Sequence, residues 1–228
     1  MPIIDCREVS KTYQQGKIQI HALCRVNLRI EKGEFTALAG PSGSGKTTLL
    51  NLIGGLDLIT EGTIFIDGRD ITRMPQAELA ALRLHKIGFV FQSYNLIPVF
   101  SALENVEFIM MLQGLNRADR LERSKNILSD VGLEQQMHRR PAEMSGGQQQ
   151  RVAVARAVVS NPSIILADEP TANLDSRTGE SLMDLMRELN EKKHITFIFS
   201  THDQMVIKQA QRVIHLKDGA ILDETIPS

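Results

Sequence analysis

The segment from Phe35 to Gly54 restricts this chain more than any other. An uncharged run, Phe35-Thr36-Ala37-Leu38-Ala39, leads straight into Gly40-Pro41-Ser42-Gly43-Ser44-Gly45-Lys46-Thr47, and Lys46 to Gly54 then carries a helical pattern. A buried strand, a glycine-rich loop ending in Gly-Lys-Thr and a helix make the G-x-x-x-x-G-K-[ST] pattern in its proper context. Glycines let backbone N–H groups converge on phosphate oxygens where side chains would block the approach. The helix N-terminus adds partial positive charge. Lys46 reaches β- and γ-phosphates, and the Thr47 hydroxyl suits Mg²⁺, a hard cation that takes oxygen ligands.

The rest of the chain alternates strand-like and helix-like segments, which predicts an α/β fold with a mostly parallel sheet. Ile3 to Val9 and Ile18 to Ile30 read as an antiparallel pair. Gly62 to Ile66 and Ile87 to Phe91 read as strands, with a helix over Gln76 to Leu84 after Pro75. From Ser93 to about Ala142 strand formers thin out, and helical spacing appears in Leu103, Val106 and Met110 and again in Leu121, Leu128 and Val131. This stretch is expected to be a helical insertion. Strands resume at Ser163 to Ala167 and Ile195 to Ser200, around a helix whose apolar face holds Leu182, Leu185, Met186 and Leu189. A hairpin with its turn at Lys217-Asp218-Gly219 closes the pattern.

A second glycine-rich loop, Met144-Ser145-Gly146-Gly147-Gln148, also opens a helix, and Leu166-Ala167-Asp168-Glu169 follows it. A chain with two such loops can hold one nucleotide and offer a second surface to another, which suggests an ATPase working as a pair of copies. Asp168 ends an apolar strand, where α/β sheets bind ligands, and is expected to hold Mg²⁺. Glu169 is assigned to polarising the attacking water.

Composition narrows the class. Of the 228 residues, 42% are hydrophobic and 23% charged, as in a globular protein, and the formal net charge of -1 argues against wholesale binding to a nucleic-acid backbone. Cys6 and Cys24 are too few for a disulfide framework and are expected to be buried apolar residues. Met1 to Ser10 has no signal-peptide character, and no apolar run approaches the roughly 18 to 20 residues of a membrane helix. A reducing, ATP-containing compartment fits these features.

Taken in order, Gly40 to Thr47, Gln92, Met144-Ser145-Gly146-Gly147-Gln148-Gln149-Gln150-Arg151, Leu166 to Asp175 and Thr201-His202-Asp203 resemble the nucleotide-binding subunit of an ABC transporter from about Ile3 to Leu222. The resemblance implies a P-loop NTPase core with an N-terminal antiparallel β part over 1-92 and 146-228, and an inserted helical subdomain over 93-145. It implies ATP contacts at Gly40, Pro41, Ser42, Gly43, Ser44, Gly45, Lys46, Thr47 and Thr48, and adenine stacking on Tyr13. Gln92 and Asp168 join Thr47 around Mg²⁺, and Lys46, Glu169 and His202 serve catalysis. Ser145, Gly146, Gly147 and Gln148 are implied to meet the ATP held by a second copy in a head-to-tail dimer, with Asp175 near the seam. His21, His85, His138, His194 and His215 are expected to be ordinary solvated or capping residues.

Within the family, Leu49 to Asp57, Ile87 to Gln92, Tyr94 to Pro98 and Ala102 to Val106 are most similar to the branch of lipoprotein-releasing LolD and macrolide-exporting MacB. That branch implies export or extraction of a lipoprotein or another hydrophobic substrate. Because the chain ends at Ser228, a separate permease is expected, with the protein peripheral on the cytoplasmic face of the membrane and no span of its own. Docking is expected along Ser93 to Phe100, with Leu103 and Phe108 either exposed there or in the core. Departures from the family pattern are mild: Met144 replaces the usual Leu, and Thr47 the commoner Ser. The competing class is a soluble ABC-type ATPase acting on nucleic acid or on a regulatory partner without transport. A single domain without heptads counts against the first, and intact Glu169 and His202 against the second.

Overall fold

Strand β3 (Phe35–Ala39) is buried at all five positions, as a central strand of a parallel sheet must be. It has a parallel neighbour on each side: β8 (Thr196–Thr201), in register Phe35↔Phe197 to Ala39↔Thr201, and β9 (Arg212–Lys217). Phe35 packs tilted against Phe197 and Phe199, with ring centroids 5.6 and 4.8 Å apart. The computed structural model describes residues 1–227. They fall into two units: Met1–Ala81 with the chain from Thr196 onward, and Leu82–Ile195.

The first unit holds two sheets. One is antiparallel, in the order β2 (Ile18–Ile30), β1 (Ile4–Gln15), β4 (Glu61–Ile66), β5 (Arg69–Asp70). The expected β1–β2 pairing is present, and β4 pairs with β1 rather than extending the parallel set. The other sheet of this unit runs β10 (Ala220–Thr225), β9, β3, β8. Helix α1 (Lys46–Ile53) leaves β3 through the glycine loop and buries Leu49, Leu50, Leu52 and Ile53. The β9–β10 turn has Asp218 and Gly219 at φ 50° and 78°, the left-handed pair that matches strand twist in a two-residue hairpin. A short helix, α7 (Gln204–Gln209), is capped by Asp203 and was not legible in the sequence pattern.

The chain enters the second unit within α2 (Gln76–Lys86). There β6 (Ile87–Val90) and β7 (Ile164–Asp168) pair in parallel, and α5 (Gly146–Val158) packs on β6 so closely that Gly88 has no room for a side chain. Helices α3 (Ala102–Leu112) and α4 (Arg117–Asp130) lie in the stretch expected to be helical; among its described residues there is no strand. Ser101 and Glu104 form a capping box at the start of α3. Helix α6 (Ser176–Lys193) buries the expected face of Leu182, Leu185, Met186 and Leu189, and ends in His194, a left-handed cap.

One expectation is overturned. Cys6 is buried, but Cys24 is exposed, because its strand has an edge face on which alternate residues meet solvent. Leu103 belongs to the core, Phe100 and Phe108 are half-buried edge to face at 5.8 Å, and Val99 is 68% exposed. Among the described residues, no helix is long and apolar enough to cross a membrane.

Candidate functional site

The glycine loop of the first unit sits at the carboxyl edge of β3. Register Ala39↔Thr201 brings Gly40 and His202 out at the same edge of the parallel sheet, the edge where such sheets take ligands. Close approach explains the glycines. A Cβ on Gly40 would lie 2.2 Å from the Leu216 carbonyl oxygen, and one on Gly45 2.6 Å from that of Ala22. Gly45 is also the left-handed N-cap of α1, with φ 103°. The loop therefore presents backbone, not side chains, at the helix start.

Lys46 is only 6% exposed, and its Nζ donates to the carbonyls of Gly40 at 2.7 Å and Pro41 at 3.0 Å. The cation is thus folded back over the loop, held by acceptors that a phosphate oxygen can replace. Ser44 Oγ is buried without a hydrogen-bond partner in the protein. Pro41, Ser42, Gly43 and Thr47 are exposed, and Thr48 is half-buried. A closely packed cradle, a buried cation and an orphaned hydroxyl together fit a polyphosphate.

Tyr13, on β1, is 37% exposed, and its hydroxyl donates to Asp57 Oδ2 at 2.7 Å. Burial, then the bond to Asp57, raises the phenol above its ordinary value, against a bond from Thr48 that lowers it. Burial works against ionisation of Asp57, yet bonds from Lys11, Tyr13 and the Leu58 amide outweigh it and hold the carboxyl below the usual range.

The second unit gathers the other named residues. Register Val90↔Ala167 brings the chain after β6, with exposed Gln92, to the same edge as Asp168 and Glu169. Glu169 takes φ 46°, a left-handed conformation unusual for a non-glycine residue. Ser145 caps α5: its side chain accepts from the Gln148 N–H, and Gln148 Oε1 accepts from the Ser145 N–H at 3.0 Å. Gly146 lies against Tyr94, since a Cβ there would be 2.8 Å from the phenol oxygen. Gly147 lies against Thr178, a built Cβ falling 2.5 Å from its methyl carbon. Asp175 is the N-cap of α6, accepting from the Thr178 N–H at 3.0 Å and its hydroxyl at 2.6 Å.

Several bonds made here went unread in the sequence. Asn173 Nδ2 donates to the Gln92 carbonyl at 2.9 Å, and buried Gln150 donates to the Pro170 carbonyl at 2.7 Å. Arg156 donates to the carbonyls of Tyr94 at 2.9 Å and Asn95 at 2.5 Å. These bonds tie the segment after β6, helix α5 and the turn after β7 together. Gln150, Asn173, Tyr94 and Asn95 lay within stretches noted for their similarity to the family, whereas Arg156 lay outside all of them. Among the described residues, no group of three or more His, Cys, Asp or Glu converges on a metal centre.

Comparison with known proteins gives the family and the fold. Residues 23–172 match the family described as ABC transporter, more than half of the chain. The ABC transporter ATP-binding protein MJ0796 of Methanocaldococcus jannaschii is 47% identical over 223 residues, covering 96% of this chain and 95% of that protein. The macrolide export ATP-binding/permease protein MacB of Mannheimia succiniciproducens is 43% identical over 99% of this chain, but the chain spans only 35% of that protein's length. A solved dimer of MJ0796 in a post-hydrolysis state, bound to ADP and Pi, superposes with a TM-score of 0.92 at 45% identity over 99% of each chain. The structure of cbiO1 from Clostridium perfringens, part of the cbiONQ transporter complex, superposes at 0.90 with 30% identity, covering 99% of this chain and 89% of that one. With a P-loop core, an antiparallel N-terminal sheet, an inserted helical stretch and this family match, the chain belongs to the ABC transporter family, as one of its ATPases.

Proposed function

We propose that two copies of this chain, head to tail, close on two Mg²⁺-ATP molecules and drive a membrane permease, working from the cytoplasmic face of the membrane. Gly40, Pro41, Ser42, Gly43, Ser44, Gly45, Lys46, Thr47 and Thr48 hold the phosphates, and Tyr13 stacks on the adenine. Thr47, Gln92 and Asp168 are the residues suited to Mg²⁺, which neutralises phosphate charge when bound. Ser145, Gly146, Gly147 and Gln148 meet the ATP of the opposite copy. Residues 1–92 and 146–228 serve as the core with its antiparallel part, and 93–145 as the helical subdomain. The single observation that carries the reading is the cradle itself: no Cβ fits at Gly40 or Gly45, and buried Lys46 is held by two exchangeable carbonyls.

In hydrolysis, Glu169 polarises a water. Its oxygen bonds to the γ-phosphorus as the bond to the β–γ bridging oxygen breaks, giving ADP, phosphate and a proton. His202 and Lys46 face the γ-phosphate charge. ATP favours the closed pair because only that state grips it from both sides. Losing the γ-phosphate contacts reopens the pair. Export or extraction of a lipoprotein or another hydrophobic substrate is the transport reading, supported by similarity to the macrolide export protein MacB.

The test is a pair of variants. Glu169→Gln should retain ATP affinity, cease phosphate release and run as a dimer in gel filtration with Mg²⁺-ATP. Ser145→Arg should bind ATP as a monomer but not hydrolyse it. Normal turnover in Glu169→Gln removes its catalytic role, and normal turnover in Ser145→Arg removes the shared site.

A further inference from the structure

Tyr13 does not stand alone on the first unit. Lys11, two residues earlier on β1 and so on the same strand face, is 9% exposed, and its Nζ lies 4.6 Å from the centroid of the Tyr13 ring. That ammonium also donates to Asp57 Oδ1 at 2.7 Å and to the Leu58 carbonyl at 2.6 Å. Asp57 in turn takes the phenol proton through Oδ2 and the Leu58 N–H through Oδ1, at 2.7 Å each. Thr48, beside Thr47 on α1, acts on the phenol as well, lowering its pKa. One ring face is therefore covered by a buried cation, and the hydroxyl is tied to Asp57 in the segment that follows α1. Tyr13 as a residue keeps 37% exposure, and Lys11 lies over one face of its ring, so a ligand would stack on the other.

We infer that Lys11 and Asp57 are positioning residues that hold Tyr13 as a one-sided stacking platform for the purine base of the bound nucleotide. This rests on the reading of Tyr13 as the base-stacking residue. A surface tyrosine without these partners samples several rotamers and must be immobilised on binding. Here the immobilisation is completed in the free protein. An ion pair to Asp57 and a cation–π contact hold Lys11 under the ring. Restoring the rotamer freedom of one side chain should weaken base-dependent affinity about 3- to 10-fold.

The test compares ATP with inorganic tripolyphosphate, a probe that has the phosphates and no base, by titration calorimetry on the full chain with Mg²⁺. Lys11→Met and Asp57→Ala should each weaken ATP about 3- to 10-fold while leaving tripolyphosphate affinity unchanged, raise KM for ATP and leave kcat in place. Lys11→Arg, which keeps a cation under the ring, should restore ATP affinity. Tyr13→Ala should lose at least as much. If Tyr13→Ala weakens ATP while Lys11→Met and Asp57→Ala bind it normally, the positioning role is overturned and base stacking survives. If Tyr13→Ala itself binds ATP normally, the stacking role fails and the positioning role with it. A parallel loss of tripolyphosphate affinity in Lys11→Met and Asp57→Ala would mean general damage to the loop, and would also overturn the inference.

Discussion

Replacing Arg156 with methionine should loosen the segment after Gln92 without unfolding the protein. Tyr94 and Asn95 sit at φ 61° and 48°, and a left-handed residue costs about 1–2 kcal/mol, less for asparagine, so the pair carries roughly 2–3 kcal/mol of backbone cost. Their carbonyls are both taken by the Arg156 guanidinium, at 2.9 and 2.5 Å. A hydrogen bond from a charged group contributes about 1.5–3 kcal/mol, hence roughly 3–6 kcal/mol gross for two. Burial works against the charged guanidinium, as its lowered pKa records, so the net contribution falls to about 2–3 kcal/mol. That is comparable with the backbone cost it opposes. In Arg156→Met, which preserves most of the buried length of the side chain, this difference disappears. The turn amides of Tyr94, bonded to the Phe91 carbonyl at 3.1 Å, and Asn95, bonded to that of Ser93 at 2.6 Å, report the change. Hydrogen exchange at these amides should accelerate roughly 30- to 100-fold, since each 1.4 kcal/mol is tenfold. Exchange in the core strand β3 should stay as it was. Arg156→Lys, which supplies a point charge rather than a planar fork, should fall between, near tenfold. Exchange within threefold of the parent in Arg156→Met would refute the argument, because the left-handed pair would then be stable by itself.

Other outcomes follow from the same physics. Lys46→Ala removes a cation that phosphate would otherwise draw from the Gly40 and Pro41 carbonyls; ATP affinity should fall about 10- to 100-fold, and unchanged affinity in calorimetry would refute the cradle. Gly88→Ala places a Cβ 2.4 Å from the Ala157 carbonyl oxygen, a backbone atom that cannot step aside; a loss of about 1–3 kcal/mol in urea denaturation is expected, and an unshifted midpoint would contradict the packing. For the cysteines, burial and then the Asp5 charge push the Cys6 thiol up to about 12, while Cys24 is exposed. A thiol reagent at pH 8 should modify one cysteine quickly and the second only on unfolding. The sign for stability follows: the raised folded value makes the Cys6 contribution complete below the ordinary thiol value of 9.0, and it is lost as pH rises from there toward 12. Two fast thiols at pH 8 would contradict the burial.

Much of this protein could be read without coordinates, for a local reason. The strand, loop and helix around Gly40 to Thr47 are contiguous, and a loop that must bring backbone N–H groups onto phosphate needs glycine and lysine at set spacing. The same holds for the Ser145 cap, where Ser145 and Gln148 meet within one helical turn, and for the left-handed Asp218-Gly219 hairpin turn. Periodicity likewise placed α3, α4 and the buried face of α6, because one face of an amphipathic helix must be covered.

What the chain order could not disclose depends on partners brought together from far apart. Lys11 and Tyr13 meet Asp57 across more than forty residues, and Arg156 reaches Tyr94 and Asn95 across some sixty; neither pairing has a periodic signature. The exposure of Cys24 depends on which face of β2 remains uncovered, and the common edge of Gly40 and His202 on the register of β3 with β8. By itself the sequence singled out the short segments proposed to bind phosphate, since that chemistry is built from neighbours along the chain. The tertiary structure alone decided which distant side chains hold those segments in shape, because a hydrogen bond or a cation over a ring depends on separation in space, and separation along the chain does not determine it.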